Sequence, residues 1–191
     1  MTEGSVSVIK ISGGYLKGRS IGSPARGKGV RPTTQKVKLA LFSMLRDTVV
    51  NSRVLDLYSC TGALGIEAIS RGALECDFVE RIGRNCRLIS DNLKIMGLDK
   101  VGEVHQGESF RFVEQSEGGY DMVFLDPPFE LDDWDTVMCE VGKSGFVNKG
   151  GRVIAEHRSN LDLHSFYGNV NRINNKTYGD SKVTIYEVVS G

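Results

Sequence analysis

No run of apolar residues approaches the roughly 18 needed to cross a bilayer as a helix. The opening stretch from Met1 to Leu16 lacks the charged-then-apolar layout of a secretion signal. A cytoplasmic protein without membrane attachment is the expectation. The four cysteines, Cys60, Cys76, Cys86 and Cys139, include no Cys-x-x-Cys pair, and His105, His157 and His164 stand at no ligand spacing from them. The zinc-ribbon and zinc-finger patterns are thereby excluded, no metal is expected, and four free thiols remain. Internal repeats and low-complexity linkers are also missing, and so is net charge, with 24 Lys+Arg against 24 Asp+Glu. With 40% hydrophobic and 25% charged residues, 191 residues suit a single α/β domain with a substantial core.

The balanced charge hides an uneven distribution. Lys10, Lys17, Arg19, Arg26, Lys28, Arg31, Lys36 and Lys38 fall within the first 38 residues, which carry Glu3 alone as an acid. A basic segment on an acidic body points to a polyanionic partner such as nucleic acid. Residues 1–34 are therefore read as a basic N-terminal β extension, a hairpin or loose arm, and 35–191 as the main domain.

Within that domain, strand-like and helix-like segments alternate. Thr33 and Thr34 can cap a helix from Gln35 to about Asp47, after Pro32 has disfavoured helical geometry at Arg31. Arg53–Tyr58 predicts a buried strand, Ala63–Ser70 a helix closed by Gly72, Cys76–Glu80 a strand, and Asn85–Met96 a helix closed by Gly97. A strand at Val101–Gln106, a helix near Ser109–Glu114, a strand at Tyr120–Leu125, a helix at about Leu131–Val141 and a strand at Arg152–Glu156 follow. Val170–Tyr178 and Lys182–Val189 alternate as a closing hairpin. This order implies a mostly parallel sheet covered on both faces, with an antiparallel C-terminal edge.

In such sheets ligands bind beyond the carboxyl ends of strands. The first central strand runs into Asp56-Leu57-Tyr58-Ser59-Cys60-Thr61-Gly62, where Gly62 would let the backbone approach a ligand. Tyr58 and Ser59 stand in that loop, and Tyr58 reads equally as cofactor packing or as core. Glu80 ends the next strand, where a carboxylate can accept both hydroxyls of a ribose. Glu108 follows the third strand and could border an adenine ring. A complete Gly-x-Gly-x-x-Gly fingerprint is absent because Cys60 takes the first glycine position, which weighs against a nicotinamide-dependent oxidoreductase.

Asp126-Pro127-Pro128-Phe129 carries the most chemistry. An exocyclic base amine is a poor nucleophile, because its lone pair is delocalised into the ring. The Asp126 carboxylate and the Pro127 carbonyl can accept its two hydrogens and favour a pyramidal nitrogen. The prolines pre-set the backbone, and Phe129 offers a stacking face. The electrophile that fits is the methyl group of S-adenosylmethionine. Trp134, just downstream, reads as packing, His157 as structural, and Cys60 as a thiol with no base beside it. Guanine-N2 and adenine-N6 transfer share this acceptor geometry, and a non-catalytic RNA-binding module on the same fold is a further alternative.

Four blocks together resemble the bacterial 16S rRNA (guanine-N2)-methyltransferase family, RsmD-like. They are Arg31-Pro32-Thr33-Thr34 with Val37 to Leu45; Val54 to Leu57 through Gly62-Ala63-Leu64-Gly65-Ile66-Glu67-Ala68 to Ala73; Phe124 to Phe129; and Tyr178-Gly179-Asp180. The resemblance implies a Rossmann-like class I methyltransferase fold using S-adenosylmethionine, with Asp56, Gly62 and Glu80 lining the cofactor site and Asp126, Pro127, Pro128 and Phe129 holding guanine. It also implies a monomer acting on 16S rRNA in an assembling small subunit, gripped by Lys10, Lys17, Arg19, Arg26 and Arg31. Two residues depart from the family pattern. Cys60 stands where glycine is usual, for which an adjusted loop is expected, and Glu108 stands where aspartate is usual.

Overall fold

A computed structural model describes residues 7–23, 35–128, 131 and 134–189. The N-terminal strands β1 (Ser7–Lys10) and β2 (Ser20–Ser23) pair antiparallel as a hairpin. Helix α1 (Gln35–Leu45) leads through a 3-10 turn at Arg46–Val49 into β3 (Arg53–Leu57). Then come α2 (Ala63–Ser70), β4 (Glu75–Glu80), α3 (Gly83–Met96), β5 (Gly102–Gln106), α4 (Ser109–Gln115) and β6 (Tyr120–Leu125). The chain closes with α5 (Trp134–Val141), β7 (Val147–Arg158), β8 (Phe166–Tyr167), β9 (Val170–Tyr178) and β10 (Ser181–Val188).

Among the described residues these strands build an eight-stranded sheet in the order β5-β4-β3-β6-β7-β10-β9-β8. Strands β3 to β7 are mutually parallel, while β10 runs antiparallel between β7 and β9. Strand order reverses between β3 and β6. The crevice beyond their carboxyl ends is thus the place for a ligand.

Alternation along the strands sends Val54, Phe78, Met122, Phe124 and Ile154 to one face, with the buried residues of α1, α2 and α3. Leu55, Leu57, Val79, Val123, Leu125 and Val153 face the other way, with Val113 of α4 and Val137 and Met138 of α5. Helix α2 is buried from Leu64 to Ser70, and Gly65 explains how closely it lies on the sheet. A Cβ at Gly65 would fall against the Phe78 ring and 2.6 Å from Cys76 Sγ. Gly65→Ala therefore forces helix and strand apart. We expect a loss of about 1–3 kcal/mol in urea unfolding; a change within about 0.3 kcal/mol would show that α2 does not need this close approach.

The N-terminal segment is a docked hairpin rather than a loose arm. Ile11, Leu16 and Ile21 are buried in the same apolar cluster as α1 and α2. Ser12 binds Glu67 of α2 through its amide (2.9 Å) and hydroxyl (2.7 Å). Glu67 is fully buried and also receives Lys38 Nζ at 2.8 Å and Arg71 Nε at 2.9 Å, while Lys38 donates to the Lys10 carbonyl. These charged residues inside the molecule fasten hairpin, α1 and α2 together.

Strand β7 starts at Val147, five residues before the expected Arg152, because Lys149-Gly150-Gly151 stays within the strand despite its turn-like composition. The two-residue β8 is too short to leave a periodic trace.

Candidate active site

The loop after β3 is held by side chains that point inward. Asp56 is 1% exposed, and its Oδ2 accepts the Gly65 amide at 2.9 Å. It thereby serves as a remote cap for the first turn of α2, whose own N-cap, Gly62, has no side chain to offer. Burial pushes the Asp56 carboxyl up to about 8, opposed by the Gly65 bond and reinforced by the Glu80 charge. Asp56 thus makes the loop-backbone contact that was one of the two roles expected of it. Ser59 also turns inward: its hydroxyl donates to the Asp56 and Val79 carbonyls, and its amide to Val79. Its side chain is thus a brace for the loop.

Gly62 needs correcting in the same sense. Its φ is +73°, and a Cβ there would meet Ile89 and Phe78 at 3.2 and 3.3 Å. The glycine is required by left-handed geometry and by the interior, not by clearance toward a ligand. Cys60 and Tyr58 adopt φ of +50° and +61°. The loop has therefore not adjusted around Cys60. A non-glycine residue occupies the left-handed position, at a cost of roughly 1–2 kcal/mol.

Glu80 closes the loop from the neighbouring strand. Its Oε2 accepts the Cys60 amide at 2.9 Å and its Oε1 accepts the Ile82 amide at 2.7 Å. Each carboxylate oxygen keeps a second lone pair, so these bonds leave acceptor capacity for hydroxyls. Cys60 reports what surrounds it. Its thiol is pushed up to about 11, first by burial and then by the charges of Glu80, Asp126 and Asp56, with Arg84 opposing. Asp126, just beyond β6, is thus in electrostatic reach of the loop beyond β3, together with Glu80 and Asp56. The alkylation rate of Cys60 should keep rising with hydroxide concentration through pH 10. A plateau between pH 8 and 9 would contradict this environment.

Pro127 is buried and Pro128 exposed, and the Pro128 carbonyl accepts the Leu131 amide at 2.9 Å. Phe129, Arg26 and Arg31 lie outside the described residues. Tyr58 is half-buried against the α4–α5 face. Glu108 is exposed, beside Arg81 at 3.7 Å. Trp134 is buried and packs edge-on against His157, whose Nε2 lies 2.8 Å from Thr184 Oγ1. Burial lowers the His157 pKa.

Lys10, Lys17 and Arg19 are exposed. The hairpin turn sits on the last residues of α2, where Tyr15 and Leu16 amides reach the Ser70 carbonyl and hydroxyl. Arg19 donates to the Ile95 carbonyl in the last turn of α3. Since α3 starts beyond the carboxyl end of β4, Arg19 stands roughly 20 Å along that helix from Glu80.

Further polar residues carry no signal in the sequence. Asn92 of α3 is buried, accepts the Gly22 amide at 2.9 Å, and donates to the carbonyls of Gly22 and Thr61 at 3.1 and 3.3 Å. It ties the hairpin to the loop. Glu156 is buried on β7 at the same edge. Asp77, Glu103 and His105 bring one ligand atom each within 4.8 Å of one another, but Asp77 is already bonded to the Tyr120 hydroxyl at 2.8 Å and paired with Arg53.

The family model described as conserved hypothetical protein 95 matches residues 9–187. A Bacillus subtilis protein, provisionally named as the rRNA methyltransferase YlbH, is 32% identical over 94% of this chain and 98% of its own length. The chain belongs to this RsmD-like methyltransferase family. The Escherichia coli protein named ribosomal RNA small subunit methyltransferase D is 33% identical over 63% of this chain and 60% of its own length. A solved Escherichia coli structure, provisionally described as the methyltransferase YhhF, superposes with a TM-score of 0.84. It is 25% identical and covers 97% of this chain and 100% of that one. The expected class I methyltransferase fold, mostly parallel with an antiparallel C-terminal hairpin, is the fold observed. Among the described residues no helix is long and apolar enough to cross a membrane.

Proposed function

We propose that this protein transfers a methyl group from S-adenosylmethionine to the exocyclic N2 of a guanine in small-subunit (16S) rRNA. The observation that carries this reading is that Leu125 lies beside Leu57 on adjacent parallel strands, so the Asp-Pro-Pro corner leaves the sheet next to the loop that follows β3. Glu80 and Asp126 beside that loop suit a ligand with a sulfonium charge, and Glu80 retains lone pairs for ribose hydroxyls. The cofactor supplies an electrophilic methyl group. The residues of the chain do the rest: Asp126 and the Pro127 carbonyl accept the two amine hydrogens and direct the nitrogen lone pair, with Phe129 as the stacking face. After transfer the cationic nitrogen loses one proton to water.

Glu108 borders the adenine end in this reading. Residues 1–34 extend the RNA contact, with Lys10, Lys17 and Arg19 meeting the phosphate backbone at a distance from the target and Arg26 and Arg31 completing the basic segment. The protein acts as a cytoplasmic monomer on an assembling small subunit. Labelled S-adenosylmethionine with undermethylated small subunits, followed by nucleoside mass spectrometry and mapping, tests the assignment. N2-methylguanine at one position is expected. N6-methyladenine alone would overturn the choice of base, and no transfer with intact cofactor binding would overturn the activity.

A further inference from the structure

We infer that the exposed face of α3 is a phosphate-binding track for the RNA substrate, with Arg84, Arg87 and Lys94 carrying the strand between the loop after β3 and the N-terminal hairpin; the inference rests on the RNA substrate proposed above. The helix is sharply divided. Asn85, Cys86, Ile89, Asn92, Leu93 and Met96 are buried. At 3.6 residues per turn they fill one arc of its circumference. The opposite arc holds Arg84, Arg87, Asp91, Lys94 and Ile95, all exposed. Three cations there stand against one acid, so the face is a match for a polyanion.

Both ends of this arc are fixed to other parts of the molecule. Glu80 accepts the Ile82 amide at the entry to α3 and the Cys60 amide in the loop after β3. Arg84, in the first turn of the helix, therefore starts beside that loop, and its charge reaches the Cys60 thiol. At the other end Arg19 of the hairpin donates to the Ile95 carbonyl. Asn92 binds both backbone groups of Gly22, and a Cβ at Gly22 would lie 3.2 Å from Leu88. The hairpin thus runs along the border of the basic arc and adds the exposed Lys17 and Arg19 to its far end. The ten residues from Arg84 to Lys94 cover about 15 Å, most of the roughly 20 Å between Glu80 and Arg19. The helices on the opposite face of the sheet differ in charge. Helix α5 exposes Asp135 and contains no cation, and α4 exposes Arg111 with Glu114. Contacts of this kind go to phosphates, so they position the strand without reading its bases.

The test replaces Arg84, Arg87 and Lys94 together by Gln and measures both binding to undermethylated small subunits and methyl transfer on them. KM for the subunit should rise at least about tenfold, with kcat at saturating subunit within about twofold of wild type. The slope of log Kd against log salt should become shallower by about two, since each phosphate contact contributes roughly 0.7 to 0.9. Asp91→Lys adds a cation to the same arc and should tighten binding at least about twofold, a gain that misfolding cannot produce. Unchanged Kd and slope in the triple variant would overturn the inference, and so would weaker binding in Asp91→Lys. Weaker binding of the triple variant with the wild-type slope would place a protein of the subunit on this face instead of RNA, and would overturn it too. Binding needs no chemistry, so the two readings fail separately. Absence of N2-methylguanine with wild type would remove the function proposed above, while the salt slopes still decide the track.

Discussion

Glu67→Ala lowers the free energy of unfolding by about 3–5 kcal/mol, read as the midpoint of urea denaturation. The substitution removes the acceptor of four bonds and leaves the Lys38 ammonium, 2% exposed, with the Lys10 carbonyl. A buried cation stripped of its counter-ion costs far more than a lost surface pair. Replacing both members, Glu67→Leu with Lys38→Met, recovers much of the loss, because no uncompensated charge remains. A single-variant loss under about 1 kcal/mol would show that the network is not a structural tie. The pH dependence has a defined sign. Burial alone would raise the Glu67 carboxyl, but the bonds from Lys38 and Ser12 outweigh it and hold the group below its ordinary value of 4.5. The contribution is thus fully present above pH 4.5 and is lost as pH falls through the lowered folded value. Wild type should lose this margin over Glu67→Ala only in strong acid.

That network shows where reading the sequence stops. The periodicity of Val37, Leu41, Phe42 and Leu45 located the buried face of α1, but Lys38 beside them looks like a solvated residue. Only the third dimension shows that its ammonium meets Glu67. A signal did exist in α2, where Glu67 sits alone in Ala-Leu-Gly-Ile-Glu-Ala-Ile-Ser. A helix apolar on every side is buried, so its one acid needs a cationic partner. The loop after β3 was legible in place but not in detail. Acids at the ends of β3 and β4 and a glycine between them were readable from alternation and spacing. That Asp56 and Ser59 spend their hydrogen bonds on the loop itself depends on side-chain direction, which spacing does not encode. The docking of the hairpin turn on the last residues of α2 was hidden for a related reason, since charge along the chain does not encode it.

The same ties separate catalysis from cofactor binding, and they set the result for Asp126→Ala. Turnover should fall at least about a hundredfold, while the Kd for S-adenosylmethionine stays within about twofold. The loop that would hold the cofactor is fixed by Asp56 on Gly65, by Glu80 on Cys60 and Ile82, and by Ser59 on Asp56 and Val79, none of which involves Asp126. On the proposed function, removing Asp126 deletes one of the acceptors that orient the amine and leaves these ties in place. Glu80→Ala should show the reverse signature, with weakened cofactor affinity from the start, because it loses the loop bonds and, on the proposed function, the hydroxyl acceptor. Cys60 supplies an independent readout: Asp126 is among the charges that raise its thiol, so the alanine variant shifts the onset of Cys60 alkylation to lower pH. Near-wild-type turnover would deny Asp126 its role in orienting the amine. An unmoved Cys60 profile would mean that the corner does not face the loop, and the proposed arrangement of amine, acceptors and methyl donor would lose its geometric basis.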